Sequence, residues 1–299
     1  MPPKFMVKLQ NKRFLFFVLL ISSFNLQAQK NPDNSFLWRL DPASGNKVYL
    51  VGTFPMDNTD LIDIPKTIQR AFDNVELIVF DRSPLDLNAE YQRLFVEKGF
   101  YPADEMTSEH LDANLYQQLE KRLEELKSPL GHMPRMKPWL ITISLLNLET
   151  EETGYARMGL KEYYFNQATE EEKEIVLLDK VLSEQSLLSD LSEEAQIEYL
   201  QHCLKNSKNN IRQNSNLFEA WRKGNFIRFC TLVEKQQQKS PLAIQEIQTK
   251  IQESLPIDQL VEIINSEKSA IIFVDATRLV GKNGLLDKLE AEGVEISEL

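Results

Sequence analysis

The sequence predicts an α/β fold of the α+β type, in which a central mixed sheet is built from strands at both ends of the chain. Short apolar runs rich in β-branched residues lie near each end. Between them, at about residues 86–265, apolar residues recur at helical spacing and predict a large helical insertion, the helical lobe. No linker divides the rest, so residues 29–299 are expected to form one domain.

The N-terminal part of the sheet is predicted from four consecutive segments. Residues 35–40 and 47–53 have strand composition around the turn DPASGN. Pro65 then opens a helix, because proline is tolerated in the first helical turn. A buried strand follows at residues 76–81, and this strand–helix–strand order predicts a parallel pair with a right-handed crossover.

Helices dominate the predicted middle of the chain, and strands return at its end. Within residues 86–152, the segment KPWLITISLLNLE is apolar on most faces and should be a buried helix. The helix GLKEYYFNQATEE leads into a short strand at 174–178, and residues 185–265 indicate helices broken at Pro241. A strand at 269–275, a loop, a helix and the strand VEIS complete the prediction.

Residues 1–28 have the pattern of a secretory signal peptide. A basic head precedes an apolar run at 14–21 that is too short to span a bilayer comfortably, and small residues follow. We expect cleavage after Ala28, a periplasmic or secreted protein, and no stable membrane insertion after cleavage. An uncleaved membrane anchor is the alternative.

The net charge of the chain argues against several classes of partner. The formal charge is −11, and residues 1–28 hold four basic and no acidic residues, so the cleaved chain has −11 − 4 = −15. A chain this acidic repels phosphate backbones and anionic lipid surfaces. We therefore expect no nucleic-acid partner.

Three predicted strands end in residues that could form a cleft. Ligands in open α/β sheets gather beyond the carboxyl ends of the strands, so side chains there meet if the strands are neighbours. The candidate residues at these ends are Gly52, Thr53, Pro55, Asp81, Asp275 and Arg278.

Several segments, taken in order, resemble the TraB/GumN family, the bacterial relatives of the Tiki metalloproteases. They are FLWRL…KVYLVGTFP, AFDNVELIVFD, KPWL, LLDKVLSEQ, LFEAWRKGN and FVDATRLVGKNGLLDKLEAEGVEI. The resemblance runs from about residue 36 to 297. It implies a Tiki-like fold and a site for a divalent metal such as zinc or manganese, held by two histidines and a glutamate.

Carried over to this chain, the implied metal site lacks most of its ligands. The first histidine falls on Pro55, the glutamate on Asp81 and the second histidine on Arg278, while the glycine of the last corner falls on Asp275. Proline has no side-chain donor atom, and arginine stays protonated and repels a metal ion. We therefore expect no metal and no cofactor, with Arg278 in the former metal space, paired with Asp81 and Asp275.

Other residues that could carry chemistry are given structural roles. The histidines are expected to be surface or hydrogen-bonded residues; they are His110, His132 and His202. Glu184, with Gln185, is expected to cap a helix. Cys203 and Cys230 fall in consecutive predicted helices. The sequence is compatible with a disulfide between them and with two free thiols.

Three functions are compatible with the sequence. The first is a degenerate pseudo-metallohydrolase that binds an envelope protein or a peptide, or acts as a scaffold, without catalysis. The second is a metal-dependent peptidase or hydrolase of the Tiki type, with ligands not visible in the sequence. The third is a metal-independent hydrolase in which Asp81 and Asp275 divide acid and base work beside Arg278. The missing histidines favour the first function.

Overall fold

The structure is a computed structural model, and the description below concerns only part of the chain. The described residues are 36–42, 45–54, 64–128, 134–152, 159–178, 181–281 and 283–299. The expected signal peptide at residues 1–28, the first-corner residue Pro55 and His132 lie outside them.

Six strands form one mixed sheet in the described part of the chain. They are β1 (Leu37–Asp41), β2 (Val48–Thr53), β3 (Leu77–Phe80), β4 (Glu174–Leu177), β5 (Ala270–Asp275) and β6 (Glu295–Glu298). Their order is β4-β3-β5-β2-β1-β6. The strands from β4 to β2 are parallel, and β1 is antiparallel to both β2 and β6. The predicted fold class is confirmed, and only β4 comes from the helical insertion.

Helices fill most of the described chain between β3 and β5. The helices are α1 (Lys66–Asp73), α2 (Pro84–Lys98), α3 (Thr107–His110), α4 (Ala113–Glu125), α5 (Pro138–Glu152), α6 (Leu160–Glu170), α7 (Glu184–Ser189), α8 (Glu193–Arg222), α9 (Phe226–Gln237), α10 (Leu242–Glu253), α11 (Ile257–Ile264) and α12 (Leu285–Ala291). A 3-10 turn, Ala276–Leu279, follows β5 directly. The predicted break at Pro241 is confirmed, because α9 ends before it and α10 begins after it.

The predicted direct pairing of β2 with β3 is wrong. The two strands are parallel, but β5 lies between them, so that Phe273 is the register partner of both Val51 and Phe80. Local sequence could not show this, because β5 comes from the far end of the chain. The insertion of β5 places the carboxyl ends of β2, β3 and β5 side by side.

The sheet is buried on both faces around β3 and β5. All four residues of β3 are buried, as are the first five of β5, which is typical of a parallel sheet covered by helices. Phe72 of α1 is fully buried, and the centroid of its ring lies 4.9 Å from the centroid of the Tyr164 ring on α6. The Tyr164 ring also stacks on Phe273 of β5 at a centroid distance of 4.9 Å, which packs α6 on a strand whose end carries the candidate site.

A second hydrophobic cluster lies in the helical lobe and is centred on α5. Trp139, Leu140 and Leu145 are each 0 % exposed, which confirms the prediction of a buried helix in this segment. The Trp139 indole donates to the Lys98 carbonyl at 3.1 Å, so the polar atom of this buried ring is satisfied. None of the helices described is both long and apolar enough to cross a bilayer.

Candidate functional site

The ends of β2, β3 and β5 bring polar side chains to one edge of the sheet. Thr53 is the register partner of Asp275, and the backbone N–H of Asp81 donates to the Phe273 carbonyl at 3.1 Å. The backbone N–H of Asp275 in turn donates to Asp81 Oδ2 at 3.3 Å. The Asp81 side chain is 1 % exposed and that of Asp275 is 38 % exposed, so only Asp275 opens to solvent.

Lys161, near the start of α6, lies between these two carboxylates. Its Nζ donates to Asp81 Oδ1 at 2.6 Å and to Asp275 Oδ1 at 2.9 Å. The helix buries Leu160 and Tyr164 against the sheet, which directs the neighbouring Lys161 towards the strand ends. Sequence reasoning missed this residue; the only signal was a lysine next to the buried stripe of a helix that leads into a strand.

Arg278 lies beside the carboxylates, although most of its donors face elsewhere. Its Nη1 donates to the Ile251 carbonyl at 2.6 Å and its Nη2 to the Leu182 carbonyl at 3.2 Å. Its Nε is 3.4 Å from Asp81 Oδ2 and 3.8 Å from Asp275 Oδ2, and it has no hydrogen-bond partner among the described residues. The structure therefore brings together Asp81, Asp275 and Arg278.

We expected the Arg278 guanidinium between the two carboxylates. The Lys161 ammonium lies there instead. The reason is the guanidinium's other bonds, which hold it towards two backbone carbonyls. We call Asp81, Lys161, Asp275 and Arg278 the four-charge cluster. It contains two positive and two negative side chains.

The corner at the end of β2 is packed by apolar and aromatic side chains. A methyl group on Gly52 would lie 2.7 Å from Leu279 Cδ1 and 3.2 Å from Phe36 Cδ1, so only glycine fits without a shift of its neighbours. The Gly52 carbonyl accepts from Trp221 Nε1 at 2.7 Å, and Phe54 stacks near the Trp221 ring with a centroid distance of 6.4 Å. The described side of this corner is thus part of the hydrophobic core.

The charges of the cluster shift one another's protonation. Burial raises the pKa of Asp81, opposed by the Lys161 charge and supported by that of Asp275. Burial would also raise the pKa of Asp275, but the charges of Lys161 and Arg278 outweigh it and lower this pKa. For Lys161, burial is outweighed by the charges of Asp275 and Asp81, which raise its pKa and keep the ammonium protonated. The pKa of Glu184 is also raised, first by desolvation and then by the negative charge of Asp275, although this residue is exposed to solvent.

The four-charge cluster does not fit the divalent metal that the family resemblance implies. One oxygen of each carboxylate, Oδ1, already accepts from the Lys161 ammonium, and the Arg278 guanidinium lies beside the other oxygen, Oδ2. An ion at this point would meet two positive charges, each repelling it at contact distance. In the part of the chain that the structure describes, no group of three or more His, Cys, Asp or Glu side chains is arranged to hold a metal.

The described histidines have local structural partners. The ring nitrogens of His110 lie 2.9 Å from Glu105 Oε2 and 3.0 Å from Glu193 Oε1, and the ring stacks on Tyr101. His202 lies within α8, where burial lowers its pKa. The Nδ1 atom of His202 lies 3.5 Å from Nδ2 of Asn206, one turn further along the same helix.

The cysteines and Glu184 also have defined places. Cys203 is a buried free thiol in α8, and Cys230 is a partly buried free thiol in α9. The cap of α7 is Ser183, whose hydroxyl accepts from the backbone N–H of Ser186 at 3.2 Å. Glu184 lies in the first turn of that helix and is not its cap, which corrects the expected role.

Comparison with models of known protein families gives a match. A sequence model described as the TraB/PrgY/gumN family matches residues 36–298, which is nearly the whole chain. Neither a search of curated proteins nor a search of solved structures found a match.

Proposed function

The chain belongs to the TraB/PrgY/gumN family, and from this premise we propose that it is a non-catalytic member, a binding or scaffold protein of the cell envelope. One observation carries the proposal. The Lys161 ammonium bridges Asp81 and Asp275 at 2.6 and 2.9 Å, where a metal-dependent hydrolase would need its ion. The residues of this corner are arranged to neutralise one another.

The protonation of the cluster also argues against catalysis. The raised pKa of Lys161 keeps its amine protonated, so it serves neither as a base nor as a nucleophile. Asp81 is 1 % exposed and accepts from Lys161, so its carboxylate has little access to a substrate. Asp275 keeps one open side but holds the same ammonium. These features support an ion-paired corner with a structural role.

A peptide or an envelope protein is the partner that we propose. Leu177 ends β4 and is 37 % exposed, and Leu182, whose carbonyl is held by Arg278, is 39 % exposed. The partly exposed Asp275 lies at the same edge of the sheet. Apolar side chains beside an acidic one are suited to an extended peptide that carries apolar and basic groups.

Export to the envelope is supported by the basic and apolar N-terminal pattern. The test is the mass of the protein recovered from an envelope or secreted fraction. Cleavage after Ala28 predicts a chain that begins at Gln29, whereas a chain that keeps residues 1–28 would contradict export with cleavage.

The non-catalytic assignment is tested with a peptide-hydrolysis assay on the purified protein, with added zinc, manganese or cobalt and with chelator. The double variant Asp81→Asn/Asp275→Asn gives the background rate of hydrolysis for a chain that lacks the two carboxylates. We expect equal turnover for the wild type and this variant under all conditions. Metal-dependent turnover that the double variant loses would overturn the assignment.

The third function, a metal-independent hydrolase, has one observation in its favour. The pKa of Asp81 is raised and that of Asp275 is lowered, which is the pattern of a carboxylate pair that divides acid and base work. Turnover in chelator that falls to background in Asp275→Asn would support this function. Because the Lys161 ammonium bridges the two carboxylates, we favour the non-catalytic function over the metal-independent hydrolase.

A further inference from the structure

The four-charge cluster has the composition of a cation site that is already filled from within the chain. Two carboxylate oxygens, one from the end of β3 and one from the end of β5, accept from a single ammonium. Of the two cations in the cluster, only Lys161 donates hydrogen bonds to the carboxylates, since the bonds of Arg278 go to the Ile251 and Leu182 carbonyls and to Ser254.

We propose that Lys161 is a tethered cation, whose ammonium takes the structural place of an ion and joins α6 to the ends of β3 and β5. The site that it occupies is a receptor for a primary ammonium group, made by Asp81 and Asp275. Removal of the side chain beyond its Cβ leaves this receptor empty, and a primary alkylammonium ion from solution then fills it. This assignment is independent of whether the protein hydrolyses anything.

The physical reason is the burial of Asp81. Its side chain is 1 % exposed, so without the ammonium the partners left to its charge among the described residues are the Arg278 guanidinium at 3.4 Å and backbone N–H donors. A buried charge that loses its partner is strongly destabilising. A free ammonium that restores the partner therefore stabilises the folded chain by mass action.

Lys173 offers a matched control on the same segment of the chain. It follows α6, and its side chain is 15 % exposed, against 12 % for Lys161. Its Nζ donates to the Phe72 carbonyl at 2.9 Å, and the closest carboxylate in the described part of the chain, on Glu171, is 3.8 Å away. Lys173→Ala thus removes a lysine of similar burial that does not bridge two carboxylates.

The test is thermal unfolding of Lys161→Ala, Lys173→Ala and the wild type with n-propylammonium chloride, which matches the atoms that the first variant removes. Tetramethylammonium chloride at the same concentration controls for ionic strength, because it has no N–H donor. We expect the melting temperature of Lys161→Ala to lie about 10 °C below the wild type. Propylammonium at ten times its Kd should then raise it by roughly 3 °C.

Neither the wild type nor Lys173→Ala should gain from propylammonium over tetramethylammonium. An equal response of Lys161→Ala to the two salts, or an equal gain in Lys173→Ala, would overturn the proposal. If Lys161→Ala does not fold, Lys161→Met is compared in the wild-type and Asp275→Asn backgrounds. The proposal predicts a smaller loss of melting temperature in the second background, and additive losses would contradict it.

Discussion

Replacement of Arg278 by methionine should lower the free energy of unfolding by about 3–5 kcal/mol, because it breaks a buried charge pair. Arg278 is 4 % exposed and gives two hydrogen bonds to carbonyls, at 2.6 Å to Ile251 and at 3.2 Å to Leu182. Hydrogen bonds from charged donors contribute about 1.5–3 kcal/mol each. Two of them give about 3–6 kcal/mol, a separate estimate that agrees with the range for a broken charge pair, while methionine keeps part of the apolar packing.

Urea unfolding measures this effect. With a slope of roughly 3 kcal/mol per molar urea for a chain of this size, the midpoint should fall by about 1–1.7 M. Arg222→Met is the control, because Arg222 is 47 % exposed and pairs with Glu219 on the helix surface. It should change the free energy of unfolding by less than about 0.5 kcal/mol. Equal midpoints for Arg278→Met and Arg222→Met would refute the reasoning.

Three further variants or labels test other parts of the structure. Gly52→Ala should cost about 1–3 kcal/mol in thermal unfolding, because its methyl group would lie 2.7 Å from Leu279 Cδ1; an unchanged melting temperature would contradict that close contact. The lowered pKa of Asp275 gives stability that is present above its unfolded pKa and lost as the pH falls through its folded pKa. Asp275→Asn should therefore be less stable than the wild type near neutral pH, with the difference shrinking below about pH 4 in urea titrations; a constant difference would count against the ion pairs. Burial raises the pKa of Cys203 to about 12 and that of Cys230 to about 11, so both should react slowly with a thiol reagent and Cys203 only on unfolding; rapid native labelling of Cys203 would disagree with its burial.

The strand-end carboxylates could be predicted from sequence because strand ends are local features. Asp81 and Asp275 each follow an apolar run of β-branched and aromatic residues, and parallel strands place their carboxyl ends at one edge. The order of the strands was less accessible. Phe273 of β5 pairs with residues of both β2 and β3. The local sequence of β2 and β3 does not indicate that a strand from the far end of the chain lies between them.

Lys161 could not be predicted as a site residue, because a helical sequence does not show which of its polar side chains will lie near the ends of the strands. The residue is a charged position beside the buried Leu160, a place that surface lysines often occupy. Its role depends on how α6 packs on the sheet through Tyr164, a tertiary contact. Arg278 was correctly placed beside Asp81, but the carbonyls that hold its guanidinium come from distant segments.

The most direct test of the central claim, that ion pairs and not a metal hold this corner, is the metal content of the purified protein, prepared without chelator, together with its melting temperature in zinc, manganese and cobalt. The Lys161 bridge between Asp81 and Asp275 predicts no stoichiometric metal and no increase in melting temperature with any of the three ions. One transition metal per chain, with a clear increase in melting temperature when that metal is added, would contradict the claim.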